Sequence, residues 1–227
     1  MDLMTYKISH APANAYYIPN FITEDEEKSI MNNIYAAPKP KWKELAHRRL
    51  QNWGGLPHPK GMVAEAIPQW LQQQMDKISA LHVFGEKKPN HVLVNEYLPG
   101  QGIMPHEDGP LFYPTITTIN VGSHTILEFY MPVNSEESED TLPLSSRHIG
   151  SLLLEPRSLL ILQDNMYTSF LHGISQVTED SITDNIFNID RCEAQVGDTL
   201  VRGTRVSLTI RHVPKVLKAN MIFGKRR

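Results

Sequence analysis

From residue 91 onward the chain becomes a succession of short β-branched or apolar runs, each closed by Gly, Pro or a polar cluster. They are HVLVNEY at 91–97, TITTINV at 115–121, HTILEFYM at 124–131, SLLLE at 151–155, SLLILQ at 158–163 and TRVSLTIRHV at 204–213. Runs of this length separated by turn signals predict a double-sheet β architecture, a jelly roll or double-stranded β-helix, with its core at about 91–213. Upstream, Thr23 followed three residues later by Glu26 forms a capping-box pattern, and Ile30 and Ile34 recur at helical spacing. A first helix is therefore expected over 24–35, ended by Pro38 and Pro40. A second should begin at Pro68 and carry Leu71, Met75 and Ile78 on one face as far as Leu81. The class is α+β, mainly β, with N-terminal helices buttressing the sheets. Residues 134–150 hold Glu136, Glu137, Glu139 and Asp140 and are expected to form a mobile acidic insertion. Residues 178–199 read as a second irregular stretch.

A chain of 227 residues with 41% hydrophobic content can bury one substantial core, so a single domain over 1–227 is expected. No stretch approaches the roughly 18 apolar residues of a membrane span, and the N-terminus lacks a secretory pattern, which points to cytoplasm and nucleus and to no membrane partner. A monomer is expected. The sole cysteine, Cys192, cannot form an internal disulfide or a Cys-rich metal site, so any metal must take nitrogen and oxygen ligands, for which ten histidines are present. A formal charge of -3 argues against gripping duplex nucleic acid by bulk electrostatics. Charge is local instead: Lys39, Lys41, Lys43, Arg48 and Arg49 face a single Glu44 within 39–49. Lys225, Arg226 and Arg227 read as a solvated tail.

Candidate metal ligands stand in Pro105-His106-Glu107-Asp108-Gly109-Pro110, after the turn-like Leu98-Pro99-Gly100-Gln101-Gly102. In an extended segment His106 and Asp108 share a face while Glu107 points away. A third ligand must come from elsewhere; His172, following the apolar run at 158–162, is preferred to His124 and His148. Two imidazoles and a carboxylate leave three positions open on iron, enough for a bidentate co-substrate and O2. A zinc hydrolase could use the same set, so the discriminating feature is a site for an oxidised acid.

That site is suggested by Arg205-Val206-Ser207-Leu208-Thr209-Ile210-Arg211, which alternates with period two. Val206, Leu208 and Ile210 form one apolar face, leaving Arg205, Ser207, Thr209 and Arg211 on the other. Two guanidinium groups and two hydroxyls suit a small dianion, although a solvated edge strand would read the same way. Asn95 and Tyr97 share a face by the same parity, on the strand that runs into the loop bearing His106 and Asp108.

Taken together, Asn-x-Tyr-x-Pro-Gly at 95–100, His-x-Asp at 106–108, the distal His172 and Arg-x-Ser-x-Thr-x-Arg at 205–211 resemble the AlkB family of nucleic-acid dioxygenases. The wording of residues 52–58 and 106–111 points to one subgroup within it. The resemblance implies Fe(II) on His106, Asp108 and His172, with 2-oxoglutarate and O2 as co-substrates. Arg205, helped by Ser207, would hold the distal carboxylate; Asn95 and Arg211 would lie near the chelating end; Tyr97 would hydrogen-bond the co-substrate, and Thr209 would support the strand. Many members have Asn at the position of Ser207, which alters one hydrogen bond and leaves the charge pairing intact.

The family implies oxidative demethylation of single-stranded or flipped-out DNA or RNA, with release of formaldehyde and a setting such as DNA repair. Residues 39–56, which mix basic side chains with Trp42 and Trp53, could supply a lid that contacts phosphates and stacks an exposed base through Lys41, Lys43, Arg48, Arg49 and Trp53. For Trp53, packing of helices onto the sheet is the competing assignment. Two alternatives stay open: an oxygenase acting on a protein or small molecule, and a non-catalytic nucleic-acid-binding module. Fold alone does not choose among them.

Overall fold

The structure, a computed structural model, describes residues 2–133 and 143–217; most of the expected acidic insertion, including its four named carboxylates, and the tail at 225–227 lie outside them. In chain order the strands begin with β1 (Ala15–Ile18), β2 (Lys43–Leu45), β3 (Arg48–Trp53), β4 (Met62–Val63) and β5 (His91–Tyr97). There follow β6 (Ile103–His106), β7 (Thr115–Val121), β8 (Thr125–Tyr130), β9 (His148–Leu154) and β10 (Leu159–Gln163). The last are β11 (Leu171–Ile174), β12 (Glu179–Ser181), β13 (Thr199–Val201), β14 (Arg205–Arg211) and β15 (Val216–Leu217). Helices α1 (Glu24–Ala36), α2 (Gln69–Ser79) and α3 (Asn165–Thr168) complete the regular elements.

A seven-stranded sheet in the order β1-β10-β7-β14-β5-β3-β2 faces a four-stranded sheet in the order β6-β11-β8-β9, which is the predicted jelly roll. Helix α1 starts where the capping box places it: Thr23 Oγ1 accepts from Glu26 N at 3.2 Å and Glu26 Oε2 accepts from Thr23 N at 2.9 Å. Ile30 and Ile34 of α1 and Leu71, Met75 and Ile78 of α2 are buried against Val92, Val94, Ile119, Val206, Leu208 and Ile210. Each such aliphatic side chain contributes roughly 1.5–3 kcal/mol by leaving water. The helices thus cover one face of the large sheet. Its opposite face meets Leu127, Phe129, Leu152 and Leu154 of the small sheet.

Two features differ from the sequence reading, and a third decides an alternative it left open. The core is not confined to 91–213, because β1 joins the large sheet from ahead of the predicted helices, and β2 and β3 join it from the segment read as a lid. Their apolar alternation is masked: on β3, Arg49, Gln51 and Trp53 share one face, where an ion pair and amide hydrogen bonds replace part of the hydrophobic contact. The stretch at 178–199 is not structureless, since β12 pairs antiparallel with β13 and a 3-10 turn spans Ile189–Arg191. Finally, β14 is central and buried on both faces, so its polar face is not a solvated edge.

Candidate active site

His106 ends β6 and pairs directly across the small sheet with His172 of β11, their ring centroids 4.6 Å apart. Asp108 lies two residues beyond, on the loop that leaves β6. One potential ligand atom from each of His106, Asp108 and His172 lies within 4.8 Å of the others, the only such cluster among the described residues. Glu107 is exposed, as alternation requires. The close approach of the two histidine strands depends on Gly173: a Cβ there would lie 2.9 Å from Pro105 N and 3.0 Å from Ile103 O.

Orientation comes from neighbours. His106 Nδ1 is 2.9 Å from the Met104 carbonyl oxygen, and the tautomer that donates this hydrogen bond leaves Nε2 free as a ligand. Asp108 Oδ1 accepts from Arg211 Nη2 at 2.5 Å, while Oδ2 is buried with no hydrogen-bond partner among the described residues. Tyr167 Oη donates to Gly109 O at 2.7 Å and steadies the loop. Removal from water lowers the His172 pKa to about 4, with Asp108 opposing and His106 and Arg211 reinforcing the effect, so its imidazole is neutral at ordinary pH. Two imidazole nitrogens and an unpartnered carboxylate oxygen form a donor set that fits a divalent cation. The competing histidines lie elsewhere: His124 Nε2 is 3.2 Å from Asp180 Oδ2, and His148 Nε2 is 3.0 Å from Ser151 Oγ.

These three residues line a cavity of about 210 Å³ together with Asn95, Tyr97, Arg205, Ser207, Thr209 and Arg211. Sheet register explains the convergence. Arg205 pairs with Tyr97 and Ser207 with Asn95, and paired residues of antiparallel strands project to the same face. Ile116, Leu127, Leu160, Leu162 and Ile174 close the walls. Arg48, Arg205 and Arg211 place three guanidinium groups around the cavity, and Asp108 is the only carboxylate among its lining residues. Burial lowers the Arg205 pKa to about 10, which still leaves it cationic at neutral pH, and its Nε has no partner among the described residues. Burial also raises the Tyr97 phenol, keeping it protonated and able to donate.

The basic segment divides by parity. Arg48 faces the cavity, donating from Nε to Asn95 Oδ1 at 3.2 Å, and Lys43 is exposed on the adjoining strand with its Cα opposite Leu50. Arg49 turns to the opposite face, where it forms a bidentate pair with Glu96 at 2.6 and 3.0 Å and stacks 4.1 Å from the centroid of Trp42. Lys41 sits 4.3 Å over Trp53 and 3.6 Å from Glu65. Trp53 in turn packs edge-on to Trp70 and donates to Gln51 at 2.9 Å. Arg49, Lys41 and Trp53, expected to meet substrate, make packing and pairing contacts here and are not among the residues lining the cavity. The same period-two rule that sorted 205–211, applied to 48–53, separates Arg48 from Arg49. Sequence reasoning missed Asn120, which accepts from Arg205 Nη2 at 2.6 Å; its only sign was a polar residue inside an apolar run.

Comparison with known proteins agrees with this geometry. The family described as the 2OG-Fe(II) oxygenase superfamily matches residues 38–211. Over 226 residues, 100% of this chain and 97% of its relative, the chain is 58% identical to the Danio rerio protein named Probable RNA/DNA demethylase ALKBH6. It is 29% identical over 217 residues to Uncharacterized protein L905 of Acanthamoeba polyphaga mimivirus, covering 92% of this chain and 90% of that one. Among solved structures it resembles OsALKBH1 with a TM-score of 0.57 at 15% identity, covering 87% of this chain and 97% of that one, a likeness of fold alone.

Proposed function

Because this chain belongs to the AlkB family within the 2OG-Fe(II) oxygenase superfamily, and is thus an iron- and 2-oxoglutarate-dependent dioxygenase, we propose that it oxidatively demethylates nucleic acid, with a methylated base as substrate. In this reading His106, Asp108 and His172 would hold the iron, which when bound with 2-oxoglutarate and O2 supplies oxidation of a C–H bond coupled to decarboxylation of the co-substrate to succinate. Oxidation of an N-methyl group gives a hydroxymethyl amine that releases formaldehyde, and DNA repair is one setting for such chemistry.

The observation that carries the reading is the cavity in which three guanidinium groups and the His-Asp-His cluster meet with a single carboxylate. A dianionic co-substrate relieves this excess of positive charge, and a divalent cation engages the unpartnered Asp108 oxygen. Arg205 and Ser207 take the distal carboxylate, with Tyr97 donating a further hydrogen bond. Arg211 holds Asp108 through one oxygen, leaving the other for the metal, and lies with Asn95 near the chelating end. Thr209 supports the strand between them. The leucine and isoleucine walls exclude water and thereby strengthen each of these polar contacts. Arg48 and Lys43, beside the cavity, suit the phosphates of an extended strand whose base is turned inward. The Danio rerio relative's name supports the nucleic-acid substrate.

Anaerobic addition of Fe(II) and 2-oxoglutarate should produce the weak visible charge-transfer band of a chelated complex, absent in His106→Ala, Asp108→Ala and His172→Ala. Methylated single-stranded DNA and RNA oligonucleotides should then release formaldehyde in step with succinate. Succinate formation indifferent to every oligonucleotide would move the substrate to a protein or small molecule.

A further inference from the structure

The partner of Arg205 is an amide, and the reason lies in three consecutive hydrogen bonds. Ser158 Oγ donates its proton to Glu155 O at 2.6 Å. With that proton committed, Oγ can only accept, and Asn120 Nδ2 donates to it at 3.2 Å. The Asn120 amide is thereby prevented from turning over, and its Oδ1 is aimed at Arg205 Nη2, 2.6 Å away. Backbone contacts pin the same residue: Asn120 N donates to Ser158 O at 3.0 Å, and Arg157 N donates to Asn120 O at 2.7 Å. Asn120, Ser158 and Arg205 are all buried, at 0%, 0% and 5% exposure. Arg205 has no carboxylate partner among the described residues, although a buried guanidinium ordinarily acquires one.

Building on the reading that Arg205 receives the distal carboxylate of 2-oxoglutarate, we propose that Asn120 is a positioning residue that fixes the Arg205 guanidinium while leaving its charge unneutralised, so that the enzyme selects a 2-oxo acid with a second carboxylate. A neutral acceptor fixes the plane of the fork without competing for its charge. An aspartate would fix it equally well and would satisfy the cation before the co-substrate arrived.

The test is calorimetric titration of the Mn(II)-loaded full chain with 2-oxoglutarate and with 2-oxobutyrate, which has the same chelating head and no distal carboxylate. Asn120→Ala should weaken 2-oxoglutarate by about tenfold, the loss expected for one hydrogen bond to a charged group, and leave 2-oxobutyrate within about twofold. Asn120→Asp should weaken 2-oxoglutarate more than Asn120→Ala does, an order that loss of packing would reverse. In an Arg205→Ala background Asn120→Ala should have no further effect. Should Asn120→Ala fail to fold, Ser158→Ala, which withdraws the acceptor that orients the amide, must lower the same selectivity. Equal weakening of both acids, or 2-oxoglutarate affinity unchanged in Asn120→Ala, overturns the proposal. Persistence of selectivity in Arg205→Ala instead overturns the underlying assignment of Arg205.

Discussion

His106 and His172 occupy directly opposed positions on antiparallel strands, and Gly173 sits where the register of that pairing shifts. Both nitrogen donors are consequently held by the small sheet, and only the carboxylate rides on a loop, tied by Arg211 and by Tyr167 through Gly109. The separation of the donors is set by how closely two backbones approach.

Gly173→Ala places a methyl group within 2.9 Å of backbone that cannot retreat without parting the strands. We expect a loss of about 1–3 kcal/mol in stability from overpacking and a fall in Fe(II) affinity of roughly tenfold or more. Chelator competition and thermal unfolding read the two effects separately. An alanine variant that bound iron like the parent chain would contradict this account.

Arg48 and Arg49 should part company. Arg48→Ala should weaken binding of single-stranded oligonucleotides and reduce the salt slope by about one. Arg49→Ala should leave the slope alone and instead cost about 1–3 kcal/mol of stability, because Glu96 is buried and loses its bidentate partner. Identical salt slopes for parent and Arg48→Ala would remove Arg48 from the substrate path.

Arg205→Lys replaces a planar fork by a point charge. The expected outcome is a KM for 2-oxoglutarate raised by roughly tenfold with a smaller change in kcat, measured by succinate formation at saturating oligonucleotide. An unchanged KM would mean that the distal carboxylate lies elsewhere.

Asp180 of β12 reaches across to Arg202, the residue after β13, accepting from it at 2.6 and 2.7 Å, with His124 3.2 Å away. Burial by itself would raise its pKa, but the paired Arg202 guanidinium, with the His124 imidazole beside it, outweighs that and holds the carboxyl below its ordinary 3.8. A carboxylate depressed on folding adds stability that is present above its unfolded pKa and disappears as pH falls through the folded value. Asp180→Asn should therefore cost about 3–5 kcal/mol at pH 7 by stranding a buried cation. The gap from the parent should narrow steadily below about pH 4. Urea unfolding across that range decides it; a gap independent of pH would show that the carboxylate charge is immaterial.

Legibility in the sequence followed the clarity of local patterns. Strands at 91–97 and 115–121 were found to the residue because their apolar runs end in unmistakable turn residues, and α1 because Thr23 and Glu26 encode its cap. The polar face of β14 was visible for the same reason, though its central place was not, since alternation reports a face and not a neighbour. Residues 43–53 were obscured by charge: Arg49 belongs to an ion pair that a linear pattern cannot display. His172 opposite His106, and Asn120 against Arg205, arise from strand pairing between distant segments, which no local window contains.

The late strand β14 lies between β7 and β5, which precede it by a long stretch of chain. During synthesis β5 must wait about 5–20 s for its neighbour at ordinary elongation rates, with one hydrogen-bonding edge bare. The carboxylate cradle therefore cannot form until β14 has been made, and until then the unpaired rim of β5 leaves a nascent chain open to wrong pairing or to a chaperone.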